Sequence, residues 1–502
     1  MSRCRKTMAD LSAMNIQDSE SRPLRLRHRI LRAGWWTGGG FVLDKVIAAV
    51  QLAVLVRILT PADFGVMAAS AAVLLMMLTI SELGLDSALI AKEVVSEDDL
   101  VAAWTLSVAR GFLMATGIWI MAGMIGEVMR MPALESLLRV HAWALIIQGV
   151  QSPALALMMK KLDLRRRVTL DLVRRIVEAV VTITIAILYR TVWALVIGQL
   201  IGLTIGSLLS FRLAPCSPSW SLKRSALSYF VRYGRHLNLT TLCAFGVMTG
   251  GELVIGRLLG PESLGLYQVA LAIPLLIGAR ATALMQQISV PTYAELQQDQ
   301  RGVIRVFDLQ MGLIGIVYIP LAVTIGSLAP IMVPIVFGTQ WIGITDSLRV
   351  LCLYSVCAGY ASVMASLHYG VGRPDLQVKS WVGQCALYMT MIVPMTFSFG
   401  VFGAAISLTA SFLVGTVLQA LETRRLLGRS TDETFASLGR TGLIGLVVGA
   451  LLWNGAGQNR IAIPWTPEIL AMVMAGVFGW YLWRVERPRL QTLWNYQSQV
   501  GV

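Results

Sequence analysis

Charge is scarce in this chain. Only 14% of its 502 residues are Asp, Glu, Lys or Arg, against 56% hydrophobic, too little polar surface to enclose a water-soluble core. Six cysteines (Cys4, Cys216, Cys243, Cys352, Cys357 and Cys385) show no paired ligand spacing, which argues against a disulfide framework or a zinc site. The four histidines (His28, His141, His236 and His368) are scattered. No Walker loop, nucleophile elbow or metal motif occurs, so neither enzymatic chemistry nor a cofactor is expected. A cleavable signal peptide is also missing. Residues 1–32 carry eight Lys/Arg and run directly into the first apolar stretch without a small-residue cleavage pattern, so this segment is expected to stay in the cytoplasm, with Leu24–Trp36 along the membrane surface. Large loops are absent too. The longest links, near 213–236 and 422–438, fall below the roughly 40 residues an independent domain needs.

What fills the chain instead is hydrocarbon. Apolar runs of membrane-spanning length, about 20 residues, recur almost without pause. Fourteen are expected, at roughly 34–57, 65–88, 100–123, 138–159, 171–189, 192–212, 237–258, 265–289, 309–336, 346–368, 378–398, 401–421, 439–453 and 467–484. The formal charge of +14 does not indicate nucleic acid, because the basic residues are spread over alternate helix ends. With the N-terminus inside, 32 Lys/Arg fall on inner segments, seven on outer ones and three (Lys45, Arg110 and Arg280) inside helices. That asymmetry predicts fourteen spans with both ends cytoplasmic.

The sequence repeats itself. Arg57-Ile-Leu-Thr-Pro-Ala-Asp-Phe-Gly65 returns 200 positions later as Arg257-Leu-Leu-Gly-Pro-Glu-Ser-Leu-Gly265. Each copy ends one apolar run and opens the next. Six spans separate the copies, an even number, so the two halves have the same orientation and form a parallel repeat about an axis along the membrane normal. The predicted fold class is an all-α polytopic membrane protein with two six-helix lobes. Its parts are a basic N-terminus (1–33), an N-lobe (34–212), a cytoplasmic linker (213–236), a C-lobe (237–421), a second linker (422–438), two appended helices (439–484) and a cytoplasmic tail (485–502).

Ionisable side chains in a bilayer cost roughly 2.5–3.5 kcal/mol each and so line a polar cavity or pair with one another. Lys45, Arg110 and Arg280 are candidates to hold an anionic headgroup, Arg through its planar donor fork and Lys as a compact charge. Internal pairing, for example Lys45 with Asp44 or Glu82, is the competing role. Asp44, Glu82, Asp86 and Glu178 are the candidates for coupling to an ion gradient, with solvated helix ends as the plainer reading of Glu82 and Asp86. Gln51 shares a face with Asp44, and Glu252 lies near Arg257, where local pairing would explain it. Arg57, Pro61, Gly65, Arg257, Pro261 and Gly265 are read as structural. Lys160-Lys161 with Arg165-Arg166-Arg167 mainly sets topology, with anionic lipid as a second use.

Several blocks carry a family resemblance: Leu55–Gly65, Glu82–Ile90, Ala156–Asp163, Gly256–Tyr267, Val333–Gly338 with Trp341, and Gly370–Asp375. Over roughly residues 30–425 the chain resembles the Wzx-type polysaccharide flippases of the multidrug/oligosaccharidyl-lipid/polysaccharide exporter superfamily, nearest the colanic-acid type. The resemblance implies a MATE-like two-lobed bundle working by alternating access in the bacterial inner membrane. It implies an undecaprenyl-pyrophosphate-linked oligosaccharide as cargo, an ion gradient as drive, and Lys45 as a cavity cation. Expected partners are that lipid-linked cargo, membrane lipids and polysaccharide polymerase machinery. A drug or peptidoglycan-precursor exporter, or a membrane polymerase or ligase, are the alternatives.

Overall fold

A computed structural model describes residues 22–81, 89, 92, 95–160, 164–214 and 239–428. The regular elements are α1 (Arg22–Ile58), α2 (Pro61–Ile80), α3 (Glu97–Met129), α4 (Pro132–His141), α5 (Trp143–Val150), α6 (Ala154–Lys160), α7 (Leu164–Tyr189) and α8 (Trp193–Leu213). After residue 238 come α9 (Leu239–Phe245), a π-turn (Gly246–Gly250), α10 (Gly251–Glu295), α11 (Gln300–Met332), a second π-turn (Val333–Phe337), a 3₁₀ turn (Thr339–Ile344), α12 (Thr345–Gly370) and α13 (Pro374–Leu427). Among the described residues every regular element is helical, and seven helices are long and apolar enough to cross a membrane. The protein is an all-α, multi-pass membrane protein. The apolar segments expected at 439–453 and 467–484 lie outside the described residues.

Two very long helices are each a pair of helical segments joined at one glycine. In α10 the joint is Gly260 (φ 84°, ψ −179°), followed by Pro261. In α13 it is Gly400 (φ 59°, ψ −138°). Side chains bearing a Cβ rarely adopt these angles, and glycine does so without steric penalty. Side chains cap the starts of α3 and α11, where Asp299 accepts from the Gly302 amide. Ser96 and Asp99 form a reciprocal capping box at α3, and the Lys92 ammonium donates to Asp99 at 2.7 Å. Asp99→Ala is expected to cost about 1–2 kcal/mol, read as a lower unfolding midpoint in detergent; an unchanged midpoint would remove the box from the list of stabilising contacts.

The chain divides into two compact units. The first comprises Met1–Leu59 and Val66–Asn238; the second comprises Thr60–Gly65 and Leu239–Val502. In the first, Leu89, Leu100, Leu155, Met158 and Leu170 pack with small alanines. In the second, Tyr293, Phe307, Met311, Tyr318, Met364 and Leu367 form a larger cluster. The exposed residues include Leu113, Ile120, Leu188 and Phe397, an apolar exterior suited to acyl chains.

The single run expected at 138–159 is three short helices. It breaks at Ala142 and again at Ser152-Pro153, where proline removes a backbone donor. The freed groups are satisfied inside the unit, as a membrane interior requires. The Ser152 amide donates to Ser210 Oγ (3.0 Å), the Ser152 hydroxyl to the Ala214 carbonyl (2.8 Å), and Trp104 Nε1 to the Val150 carbonyl (3.0 Å).

The repeated motif has a structural meaning within the second unit. A Cβ on Gly65 would overlap the Pro261 carbonyl oxygen, and a Cβ on Gly265 would overlap that of Pro61. Each glycine thus seats the other copy's proline. Phe64 packs edge-on to Trp341 beside them, with centroids 5.4 Å apart. Arg57 is exposed and Arg257 half-buried.

Candidate functional site

In the first unit, α1 and α7 lie close together. Gly40 leaves room for Val168 and Leu172, and a Cβ there would collide with the Val168 side chain. One to two turns further along, α1 presents Asp44 and Lys45, while α7 presents Arg174, Arg175 and Glu178. Lys45 Nζ lies 3.8 Å from Asp44 Oδ2. Arg175 bridges the two helices, with Nε 3.9 Å from Asp44 Oδ1 and Nη1 3.0 Å from Glu178 Oε1. The four paired side chains are 18–26% exposed, well short of a freely solvated surface pair. The long contacts to Asp44 are electrostatic rather than hydrogen-bonded.

The other side of α7 is held by α8. Gly198, Gly202 and Gly206 recur every four residues and face Thr182, Glu178 and Arg174 respectively. Small residues at this spacing let two helix backbones approach closely in a membrane. The Arg174 stem lies flat on Gly206, whose Cβ would meet Arg174 Cδ at 3.1 Å. Arg174 Nε is buried and makes no hydrogen bond, and the same holds for Gln51 Oε1, one of the groups on the α1 side. The ion-paired group holds two cations and two carboxylates, and Arg174 lies on the α8 side of α7. Such an arrangement can bind an anion through charge-assisted hydrogen bonds while the internal pairs keep the cations in place.

The structure thus joins two residues expected to act in different roles, Lys45 and Glu178, through Asp44 and Arg175. Arg110 stands half-buried on α3. Arg280 falls within α10, and its side chain lies outside the described residues, as do Glu82 and Asp86. Arg174 and Arg175 were not among the expected site residues; they fall at the start of the run expected at 171–189, just after the basic cluster Lys160–Arg167 that sets topology. The helix in fact starts at Leu164, which places both arginines well inside it. The available signal was their spacing to Glu178, three and four residues on, which puts all three on neighbouring helix faces.

A second polar element of this unit is neutral. His141 is fully buried, with Nδ1 2.8 Å from the Ser70 hydroxyl and Nε2 3.1 Å from Gln199 Oε1. Nε2 donates to the amide oxygen and Nδ1 accepts from the hydroxyl, so a neutral ring satisfies both contacts. It ties α4 to α2 and α8.

Comparison with known proteins places these features. Residues 54–346 match the family described as "Polysaccharide biosynthesis protein". The lipopolysaccharide biosynthesis protein WzxC of Escherichia coli (strain K12) is 22% identical over 400 residues, covering 79% of this chain and 80% of WzxC. The succinoglycan biosynthesis transport protein ExoT of Rhizobium meliloti (strain 1021) is 22% identical over 350 residues, 67% of this chain and 69% of ExoT. Among solved structures, the lipid II flippase MurJ in an inward closed conformation superposes with a TM-score of 0.71 at 12% identity, covering 90% of this chain and 99% of MurJ. An inward-facing multidrug-resistance MATE transporter of the MOP superfamily gives 0.59 at 14% identity, over 77% of this chain and 94% of the transporter. The fold is that of the MurJ and MATE transporters. With more than half its length matched, including the end of α1, the repeated motif and the arginines of α7, the chain belongs to the polysaccharide biosynthesis protein family.

Proposed function

We propose that this protein flips lipid-linked oligosaccharide repeat units, carried on undecaprenyl pyrophosphate, from the cytoplasmic to the periplasmic leaflet of the bacterial inner membrane. Both chain ends lie in the cytoplasm, and no covalent bond in the cargo is made or broken. The observation that carries this reading is the partly buried group of Lys45 and Arg175 with Asp44 and Glu178 between α1 and α7, beside Arg174 of α7 with its unpaired Nε, in a polysaccharide biosynthesis protein. A diphosphate offers several acceptor oxygens to an arginine fork and a lysine point charge. The saccharide, rich in hydroxyls, needs a wet path, and we assign its passage to alternating access. An ion gradient is the drive we assign, and polymerase machinery the consumer of the flipped units.

Deleting the gene is expected to abolish the surface polysaccharide and leave lipid-linked units on the cytoplasmic leaflet, with both defects reversed by the wild-type chain. In proteoliposomes the purified protein is expected to expose a labelled lipid-linked oligosaccharide to an impermeant lectin. Normal surface polymer and no accumulation would overturn the reading. The likeness to MurJ favours one alternative cargo, the peptidoglycan precursor, whose lipid diphosphate has the same chemistry. Rescue of cells depleted of their lipid II flippase would favour it.

A further inference from the structure

The second unit holds an embedded carboxyl that the flippase reading does not use. Glu252 sits on the first turn of α10, directly after the π-turn Gly246–Gly250. Wide turns of this kind concentrate at functional sites because they re-aim side chains within a helix. Its neighbour Gly251 leaves room for a single group, the Tyr388 hydroxyl of α13, which a Cβ would overlap. Glu252 is half-buried and hydrogen-bonded to the Gln268 side chain. Tyr267 of α10 and Tyr388 of α13 lie within electrostatic reach of it, and Tyr354 of α12 adjoins Tyr267. All three phenols are buried. Among the described residues no Lys or Arg pairs with Glu252.

Every partner of this carboxyl is neutral and ambivalent. The Gln268 amide can donate to an ionised carboxylate or accept from a neutral acid, and a phenol can do the same. The shell therefore offers a partner to either protonation state, by a flip of the amide or a turn of the hydroxyl. An ionised carboxylate lacking a counter-cation is the costly form in such surroundings, and the acid is not. We propose that Glu252, with Gln268, Tyr267 and Tyr388, is a proton-loading site whose occupancy couples transport to the pH gradient. This goes beyond the reading given above, which names no ion and places its candidate carboxylates elsewhere.

The test uses the purified full chain in proteoliposomes, with a labelled polyprenyl-pyrophosphate oligosaccharide as cargo. An imposed pH gradient is expected to change the wild-type flipping rate roughly 5- to 100-fold, the usual range of coupling between two sites, and Glu252→Gln is expected to remove that response. Infrared difference spectra, which need no cargo, are expected to show a protonated-carboxyl band that vanishes in alkaline buffer and is absent from Glu252→Gln. If that variant fails to fold, Tyr388→Phe, which keeps the ring packing, is expected to shift the wild-type band. A full gradient response in Glu252→Gln, a band that ignores buffer pH or Tyr388→Phe, or transport driven by sodium alone would overturn the assignment. Flipping that ignores pH removes this site and leaves the flippase reading standing; a titrating band with no flipping removes the flippase reading alone.

Discussion

Lys45→Ala is expected to reduce export of the surface polysaccharide by about 10- to 100-fold, while the variant still inserts and accumulates normally. A hydrogen bond to a charged group contributes about 1.5–3 kcal/mol, and each 1.4 kcal/mol is a factor of ten in affinity. The arithmetic of the cluster sharpens the expectation. Lys45 and Arg175 pair with Asp44 and Glu178, two charges of each sign; deleting Lys45 leaves an excess of negative charge that opposes an anion. Lys45→Arg keeps the charge and is expected to retain most export. Lys45→Ala combined with Asp44→Asn restores the net charge without restoring the ammonium. Recovery in that double variant would mean that the field of the cluster matters; no recovery would mean a direct contact. Normal export in Lys45→Ala would reduce Lys45 to a partner of Asp44.

Arg175→Ala should behave differently. Arg175 is the side chain that reaches both Asp44 and Glu178. Its removal takes away the cation between two partly buried carboxylates of α1 and α7, a loss below the about 3–5 kcal/mol of a fully buried pair. The variant is therefore expected to accumulate poorly, which separates a structural cation from a cargo-binding one.

Much of this fold can be read from residue order. The hydropathy runs place α3, α8 and both halves of α13 within a few residues of their observed bounds, because a bilayer imposes one length on every crossing helix. The motif around Gly65 and Gly265 was visible as a repeat. What escaped depends on neighbours. Charge counting assigns Arg174 and Arg175 to a loop, because it weighs a basic residue by its distance from an apolar run and cannot see that α7 begins at Leu164. The break at Ser152-Pro153 is hidden because its lost hydrogen bonds are replaced from Ser210 and Ala214, about sixty positions away. Glu252 reads from sequence as a partner for Arg257, five residues on. In the structure its surroundings come from Gln268 and from Tyr388 on a distant helix, and helical periodicity carries no record of which helices become neighbours.

Gly65→Val is expected to be among the most damaging single substitutions outside the charge cluster. Overpacking usually costs about 1–3 kcal/mol because side chains can turn aside. Here the obstacle is backbone: the added Cβ would overlap the Pro261 carbonyl oxygen and stand 3.0 Å from the Gly265 nitrogen. Neither atom has a rotamer to escape into, so the two motif copies must separate, and the Phe64–Trp341 contact is strained with them. Gly265→Val meets the Pro61 carbonyl in the same way and is expected to match it, with a clear fall in unfolding midpoint and loss of export. Because either change alone opens the same contact, the double variant should be little worse than each single one, a strong departure from additivity. Gly117→Ala supplies the control. Nothing lies within 4 Å of its added carbon, and alanine in mid-helix is favoured over glycine by roughly 0.5–1 kcal/mol, so this variant should be as stable as the wild type or slightly more so. Equal midpoints for Gly65→Val and Gly117→Ala would show that the repeated glycines are not packed backbone to backbone, and the structural meaning of the duplication would have to be sought elsewhere.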